Sequence, residues 1–233
     1  MYEAIYRRRD VRRFLPRPVS DKVLRRILRA AHQAGSIGVM QPWNFLVVRD
    51  AEIKRRVKQE FLRASEEVGR GAEDGQQHMD QSLTAEAIEQ APINLAVTCD
   101  RSRRPHVASR HDTPDPDLVE TCCAIQNLWL AGRAEGVGVG GVNILDPSAI
   151  AGILGLPAGI VLVAYLCMGH VARFPDAPTL ETAGGESRLS LESVLFYDQW
   201  GNRGQETHHH EELTDSTPSR RTGRSLPRGS REP

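Results

Sequence analysis

The segment Leu118–Glu135 constrains the fold more than any other. Leu118, Val119, Cys122, Ile125, Leu128, Trp129 and Leu130 recur at helical spacing but cover more than one face. A helix that is apolar all round has to be enclosed, either at the centre of its domain or against a second copy of the chain. Gly136 follows as the residue that ends it. The next run, Val137 to Ile144 (VGVGGVNI), reads as a strand whose three glycines leave one side bare. Glycines inside a strand mark bulges or a close approach of backbone or ligand. The GxGG here lies within the strand and not at a turn into a helix, so it is not a dinucleotide fingerprint. Ile160 to Met168 (IVLVAYLCM) is a near-continuous apolar run, which predicts a central strand.

A second organising stretch is Ala30–Asp50, AAHQAGSIGVMQPWNFLVVRD. A helix leads into it, Gly35-Ser36-Ile37-Gly38 forms a small-residue loop, and Met40-Gln41-Pro42-Trp43 opens a β-branched strand over Phe45–Val48. Gly35 and Gly38 let the main chain approach a ligand, Ser36 and Gln41 offer hydrogen bonds, and Pro42 restricts the loop. Such a corner suits a flat polar heterocycle.

The leading helix is predicted over Asp21 to His32, capped by Ser20, with Val23, Leu24, Ile27, Leu28 and Ala31 as its buried stripe. Asp50 to Ala72 reads as a second helix, packed through Ile53, Val57, Phe61 and Leu62. Residues Gly69–Ser82 are polar and glycine-rich, which predicts a mobile loop able to act as a lid. A short helix over Thr84–Gln90, a strand over Pro92–Cys99 and a surface loop over Asp100–Asp117 follow. Asp146 caps, and Pro147 starts, a short helix ending at Gly155. Beyond Gly169 an extended arm reaches Arg188, and Leu189–Trp200 forms a last packed segment. Residues 1–201 are thus one domain, and 202–233, almost without apolar groups, a disordered tail.

Near the N-terminus a short helix, Tyr2–Arg8, runs into Arg7-Arg8-Arg9-Asp10-Val11-Arg12-Arg13, five arginines within seven residues. Such a run is either a solvated face or a clamp for phosphate, whose oxygens guanidinium forks match in pairs. Asp10 among these cations, and the turn at Pro16 and Pro18, favour the clamp. A carboxylate so placed is expected to have a lowered pKa and to serve as an acceptor.

The formal net charge is zero, with both signs interspersed, which removes any broad electrostatic reason to expect nucleic acid or an anionic membrane as partner. No apolar run approaches the length of a membrane span, so a cytoplasmic protein is expected. Cys99, Cys122, Cys123 and Cys167 form no CxxC pair and read as buried reduced thiols, not a disulfide framework or a metal site.

Taken in order, YRRRDVRRF, AAHQAGSIGVMQPWNF, the strand ending VTCD, CCAIQNLWLAGRAEGVGVGGVNIL, AYLCMGH and the closing SRL and WG resemble the nitroreductase-like flavoproteins, specifically the 5,6-dimethylbenzimidazole synthase branch. The resemblance spans about Tyr2 to Gly201. It implies an α+β sandwich with a central mixed sheet flanked by helices, a homodimer built on the long apolar helix, and FMN at the subunit interface. It assigns Arg8, Arg9 and Arg12 to the FMN phosphate and ribityl chain, Ser36 and Gln41 to the surroundings of the ring, Gly140 and Gly141 to the strand beside it, and Arg188 to a phosphate-facing arm. Asp10 marks the branch, where other members carry serine, and is implied to assist fragmentation of the flavin, with Asn143 as a second catalytic position. The implied reaction consumes reduced FMN and O2, yields 5,6-dimethylbenzimidazole and erythrose 4-phosphate, and draws electrons from NAD(P)H through a separate flavin reductase.

The chain departs from the branch at several points. Ala34-Gly35-Ser36 stands for Ala-Pro-Ser, Gly140-Gly141-Val142-Asn143 for Gly-Trp-Val-Ser, and Val119-Glu120 for Tyr-Ser. These changes remove bulk that would seal the pocket and leave three readings open: a synthase, an NAD(P)H-dependent nitroreductase or dehalogenase-like enzyme, and a flavin binder without catalysis.

Overall fold

The computed structural model describes residues 1–69, 75–103, 115–177 and 188–203. Contacts divide the chain into two units, Met1–Ser187 and Arg188–Pro233. The first unit contains α1 (Tyr2–Arg7), α2 (Asp21–His32), a 3-10 turn (Ile37–Val39), β1 (Trp43–Val48), α3 (Ala51–Gly69), α4 (Gly75–Gln90), β2 (Ile93–Asp100), α5 (Pro116–Ala134), β3 (Val137–Val142), α6 (Pro147–Leu154) and β4 (Ile160–His170).

The strands form one sheet in the order β1-β2-β4-β3, every pair antiparallel. The sheet expected to be mixed is antiparallel throughout these strands, and its parallel pairing is the isolated bridge from Asp10 to Val139. β4 lies inside the sheet, as its unbroken apolar run requires. Alternation along the strands supplies both faces of the sheet. On one side Ile93, Leu95, Val97, Leu166 and Met168 pack with Leu24, Ile27 and Ala31 of α2 and Leu128 of α5. On the other, Ala96, Tyr165 and Cys167 pack with Val57 and Phe61 of α3, Ala87 and Ile88 of α4 and Ile150 of α6. Each large side chain so enclosed contributes about 1.5–3 kcal/mol. The result is the α+β sandwich expected, with helices on both faces.

Local rules set several boundaries. Ser20 Oγ accepts from Val23 N at 3.3 Å and starts α2, while Asp146 Oδ1 accepts from Ser148 N and Ala149 N at 2.8 and 3.1 Å and starts α6. Gly136 and Gly155, at φ +69° and +66°, follow α5 and α6 in the left-handed conformation that a side chain resists.

Other expectations need correction. The lid loop placed over Gly69–Ser82 is helical from Gly75 onward, because α4 packs along α3 and its helix reaches back past Thr84; residues 70–74 lie outside the described residues, as do 104–114 of the second loop. Leu62 is exposed and not part of the α3 contact. The side of α5 that meets the sheet carries Asp117, Glu120, Thr121, Ala124, Leu128 and Gly132, so within one chain the helix is not enclosed all round. Val119, Cys122, Cys123 and Gln126 share an exposed stripe at spacings of three and four residues. The two cysteines expected to be buried are therefore exposed, whereas Cys99 and Cys167 are buried, and all four are free.

In the second unit, Arg188–Arg203 holds a four-residue helix, α7 (Leu191–Val194), capped by Ser190. Phe196 and Trp200 lie ring to ring at 4.6 Å, and Arg203 sits over Phe196 at 4.2 Å. Leu189 and Trp200 are 72% and 90% exposed, which corrects the packed segment expected here: so short a helix has no core of its own to bury them in. The tail expected to be disordered lies, from residue 204 on, outside the described residues.

Candidate functional site

α1 ends at Arg7 because Arg8 turns to extended backbone, and the chain then runs along the free edge of β3. Val11 N donates to Val139 O at 3.2 Å. The strand glycines make room for this. A Cβ on Gly140 would lie 1.9 Å from the Val11 carbonyl oxygen, and one on Gly138 would lie 2.6 Å from Val171 Cγ1 and 3.2 Å from both Val11 methyls. The close approach that the glycines foretold is thus made by the chain's own N-terminal segment.

That segment carries the charged cluster. Asp10 Oδ1 accepts from Gly141 N at 2.9 Å, and Oδ2 pairs with the Arg12 guanidinium. Arg12 Nε lies 3.7 Å from Asp80 Oδ1, too far for a hydrogen bond. Arg8 Cζ stands 5.2 Å from the centre of the Trp129 ring, whose Nε1 donates to Val139 O at 3.0 Å. Arg9 donates to the carbonyls of Tyr6, Arg8 and Asp176 at 2.7, 2.8 and 3.1 Å. Both Arg9 Nε and Arg12 Nε are buried donors with no hydrogen-bond partner among the described residues.

The expected lowering of the Asp10 pKa is overturned. Its pKa is raised, because the loss of solvent around the carboxyl outweighs the opposing pull of Arg12, of the Gly141 N–H and of Arg8, and Asp80 adds repulsion. The side chain keeps 40% of its accessible surface. Asn143 is exposed just past β3, its Oδ1 3.4 Å from the point a Gly141 Cβ would occupy, with Trp129 Cη2 3.3 Å from that same point.

The Ser36–Gln41 loop is built separately. Ser36 Oγ donates to Glu120 Oε2 at 2.6 Å and accepts from Gln41 N at 2.7 Å, and Ile37 N donates to Glu120 Oε1 at 2.7 Å. On the other side Arg103 donates to the carbonyls of Gln41 and Trp43, the latter at 3.2 Å, and to Asn44 Oδ1 at 2.6 Å. His32, expected to be only a polar helix end, accepts at Nδ1 from Trp43 Nε1 at 3.0 Å. A cavity of about 270 Å³ lined by Arg25, Leu28, Arg29, His32, Trp43 and Phe45 adjoins this loop through His32 and Trp43 and includes none of the arginine cluster around Asp10.

The structure therefore brings Arg8, Arg9, Asp10, Arg12, Gly140, Gly141 and Asn143 together, and sets Ser36 and Gln41 apart from them. The first group touches α5 at Trp129 and the second at Glu120, nine residues earlier, or about 13 Å along the helix axis. Arg188 opens the second unit. Sequence reasoning passed over Glu120 and Arg103 as holders of the loop. A carboxylate in an otherwise apolar helix was the available signal, since a buried charge needs partners.

The fold, an antiparallel sheet enclosed by helices, is similar to that of solved structures. The crystal structure of iodotyrosine deiodinase bound to FMN and 3-iodo-L-tyrosine matches with a TM-score of 0.67 at 21% identity, over 85% of this chain and 99% of that one. The nitroreductase family model matches residues 5–170, and the chain belongs to the nitroreductase family. Within it, the 5,6-dimethylbenzimidazole synthase of Rhodospirillum rubrum is 35% identical over 182 residues, covering 78% of this chain and 86% of the relative. That of Rhodobacter capsulatus is 34% identical over 191 residues, covering 82% and 92%.

Proposed function

We propose that this chain is an FMN-dependent oxidoreductase of the 5,6-dimethylbenzimidazole synthase type, using O2 to fragment reduced FMN, and that it works as a homodimer with a separate flavin reductase. The observation that carries the reading is Asp10: a carboxyl with a raised pKa, fixed at one oxygen by the Gly141 N–H and at the other by Arg12, beside two buried arginine nitrogens that have no acceptor among the described residues. The synthase relatives give the same reading at 34–35% identity.

The residues present fit FMN. Arg9 Nε and Arg12 Nε offer unused buried donors to a phosphate or ribityl oxygen, and Arg8, held on the Trp129 ring, adds positive charge. When bound and reduced, the flavin supplies electrons to O2 and the carbon skeleton of the product. Asp10 does the proton work: desolvation makes its carboxylate a stronger base than a solvated one, and the two anchored oxygens fix its direction. Asn143 offers a donor and an acceptor beside it.

The division of the site along α5 supports the homodimer. A two-fold axis across the exposed stripe of Val119, Cys122, Cys123 and Gln126 sets the Glu120 end of one helix beside the Trp129 end of its partner. Such pairing joins Ser36 and Gln41 of one chain to the arginines of the other. No helix among the described residues is long and apolar enough to cross a membrane. Four free thiols, two of them exposed, suit a cytoplasmic setting.

A second reading, an NAD(P)H-dependent nitroreductase or dehalogenase-like enzyme, is favoured by Val119 and Gly141, which stand where the synthase branch carries tyrosine and tryptophan and so leave less bulk over the site. Mass spectrometry of the small molecules formed from FMN, NADPH, a flavin reductase and air separates the readings. Dimethylbenzimidazole that disappears with Asp10→Asn supports the synthase. Intact FMN recovered from a protein that binds it removes the synthase reading, and bleaching of bound flavin by NAD(P)H alone then selects the second.

A further inference from the structure

The Ser36–Gln41 loop holds a conformation that its own sequence resists. Gly38, Val39 and Gln41 sit at φ +58°, +57° and +44°, the left-handed region, which a β-branched valine adopts least readily. Of its apolar side chains Met40 is buried at 7% exposure, while Ile37 and Val39 are 41% and 60% exposed. On one side it is held by Arg103, which donates to the Gln41 carbonyl, and on the other by the carboxylate of Glu120, which is 5% exposed on the buried side of α5. Its two oxygens take the Ser36 hydroxyl and the Ile37 N–H, and the same hydroxyl accepts the Gln41 N–H, so one side chain ties the first residues of the turn to the last.

We propose that Glu120 is a positioning residue that presets the Ser36–Gln41 loop for the flavin ring before any ligand arrives, and that Ser36 acts as its relay and not as a direct flavin ligand. The proposal rests on the FMN reading above. The hydroxyl proton of Ser36 is committed to Glu120 and one of its lone pairs to Gln41, which leaves it no donor for a flavin carbonyl or ring nitrogen. Gln41, whose backbone N–H and C=O are both engaged, then offers its side-chain amide as the donor and acceptor of the loop.

Two measurements test this. Amide hydrogen exchange on the FMN-free protein reads the loop alone. Glu120→Ala is expected to speed exchange by roughly tenfold or more at Ile37, whose N–H loses its carboxylate acceptor, and at Gln41, whose acceptor Ser36 Oγ loses its anchor, while Leu95 and Val97 of the central strand keep their protection. Glu120→Gln, which retains an acceptor for Ile37 N, is expected to restore much of that protection. FMN affinity then reads the relay through a double-mutant cycle. Glu120→Ala and Ser36→Ala should each weaken binding by roughly ten- to a hundredfold, and the double variant should be little weaker than either alone. Unchanged exchange at Ile37 and Gln41 in Glu120→Ala overturns the positioning role. Additive losses in the cycle show Ser36 to touch the flavin itself and overturn the relay. A wild-type protein that does not bind FMN defeats the FMN reading, while the exchange data on the free protein still decide the role of Glu120.

Discussion

Replacing Gly140 by alanine probes how the N-terminal arginines reach their place. The added methyl would lie 1.9 Å from the Val11 carbonyl oxygen and 3.0 Å from its carbon, both backbone atoms with no flexible side chain to yield. Either the sheet edge is strained, at about 1–3 kcal/mol for an overpacked position, or the segment lifts away. Lifting gives up the bond from Val11 N to Val139 O and the bond from Gly141 N to Asp10, about 1 kcal/mol and about 1.5–3 kcal/mol respectively. It also exposes part of Val11 and Phe14, which are buried. Strain thus costs about 1–3 kcal/mol and lifting about 2.5–4 kcal/mol, and the cheaper route sets an expected loss of about 1–3 kcal/mol. Urea denaturation followed by tryptophan fluorescence reads it as a lower midpoint at an unchanged slope. Gly35→Ala serves as the comparison, since nothing lies within 4 Å of its added methyl, and it should stay within about 0.5 kcal/mol of wild type. A Gly140→Ala midpoint equal to that of Gly35→Ala would show that the glycine does not seat this segment.

Two further outcomes are expected. The raised pKa of Asp10 means that its folded form holds a proton to higher pH than its unfolded form, so its contribution is fully present below the unfolded pKa and is lost as pH rises through the folded one. Wild type should therefore lose stability relative to Asp10→Asn as pH is raised from about 3 toward neutrality; a difference that moves the other way contradicts the desolvated carboxyl. If α5 pairs with itself, Cys122 and Cys123 are covered in the dimer, while Cys99 is buried and burial pushes the Cys167 thiol up to about 12. All four thiols should then react slowly with a thiol reagent in wild type, and Val119→Arg should give a monomer with two fast thiols. Two fast thiols in an unaltered dimer would place the interface elsewhere.

Much of the fold could be read from short-range signals. Ser20 with its apolar stripe bounded α2, Asp146-Pro147 and Gly155 bounded α6, and the unbroken run of β4 placed it inside the sheet. α4 was hidden because residues 75–82 lack apolar periodicity; its helix is carried by Thr84, Ala85, Ala87 and Ile88, which bury further along. The clustering of Arg8, Arg9, Asp10 and Arg12 is a property of one segment and was legible. The sign of the Asp10 shift was not, since sequence neighbours reveal nearby charge but not the solvent lost when the segment docks on β3. Glu120 went unrecognised because its partners, Ser36 and Ile37, are more than eighty residues away.

The central claim, that each flavin site is completed by two chains, is tested most directly by subunit mixing. Arg12→Ala and Gln41→Ala proteins should each bind FMN poorly. Unfolded and refolded together in equal amounts, they form mixed dimers in which one site carries both substitutions and the other neither, so FMN binding should return at about one site in four. Recovery at that level supports a shared site, and a mixture that binds no more FMN than its components contradicts it.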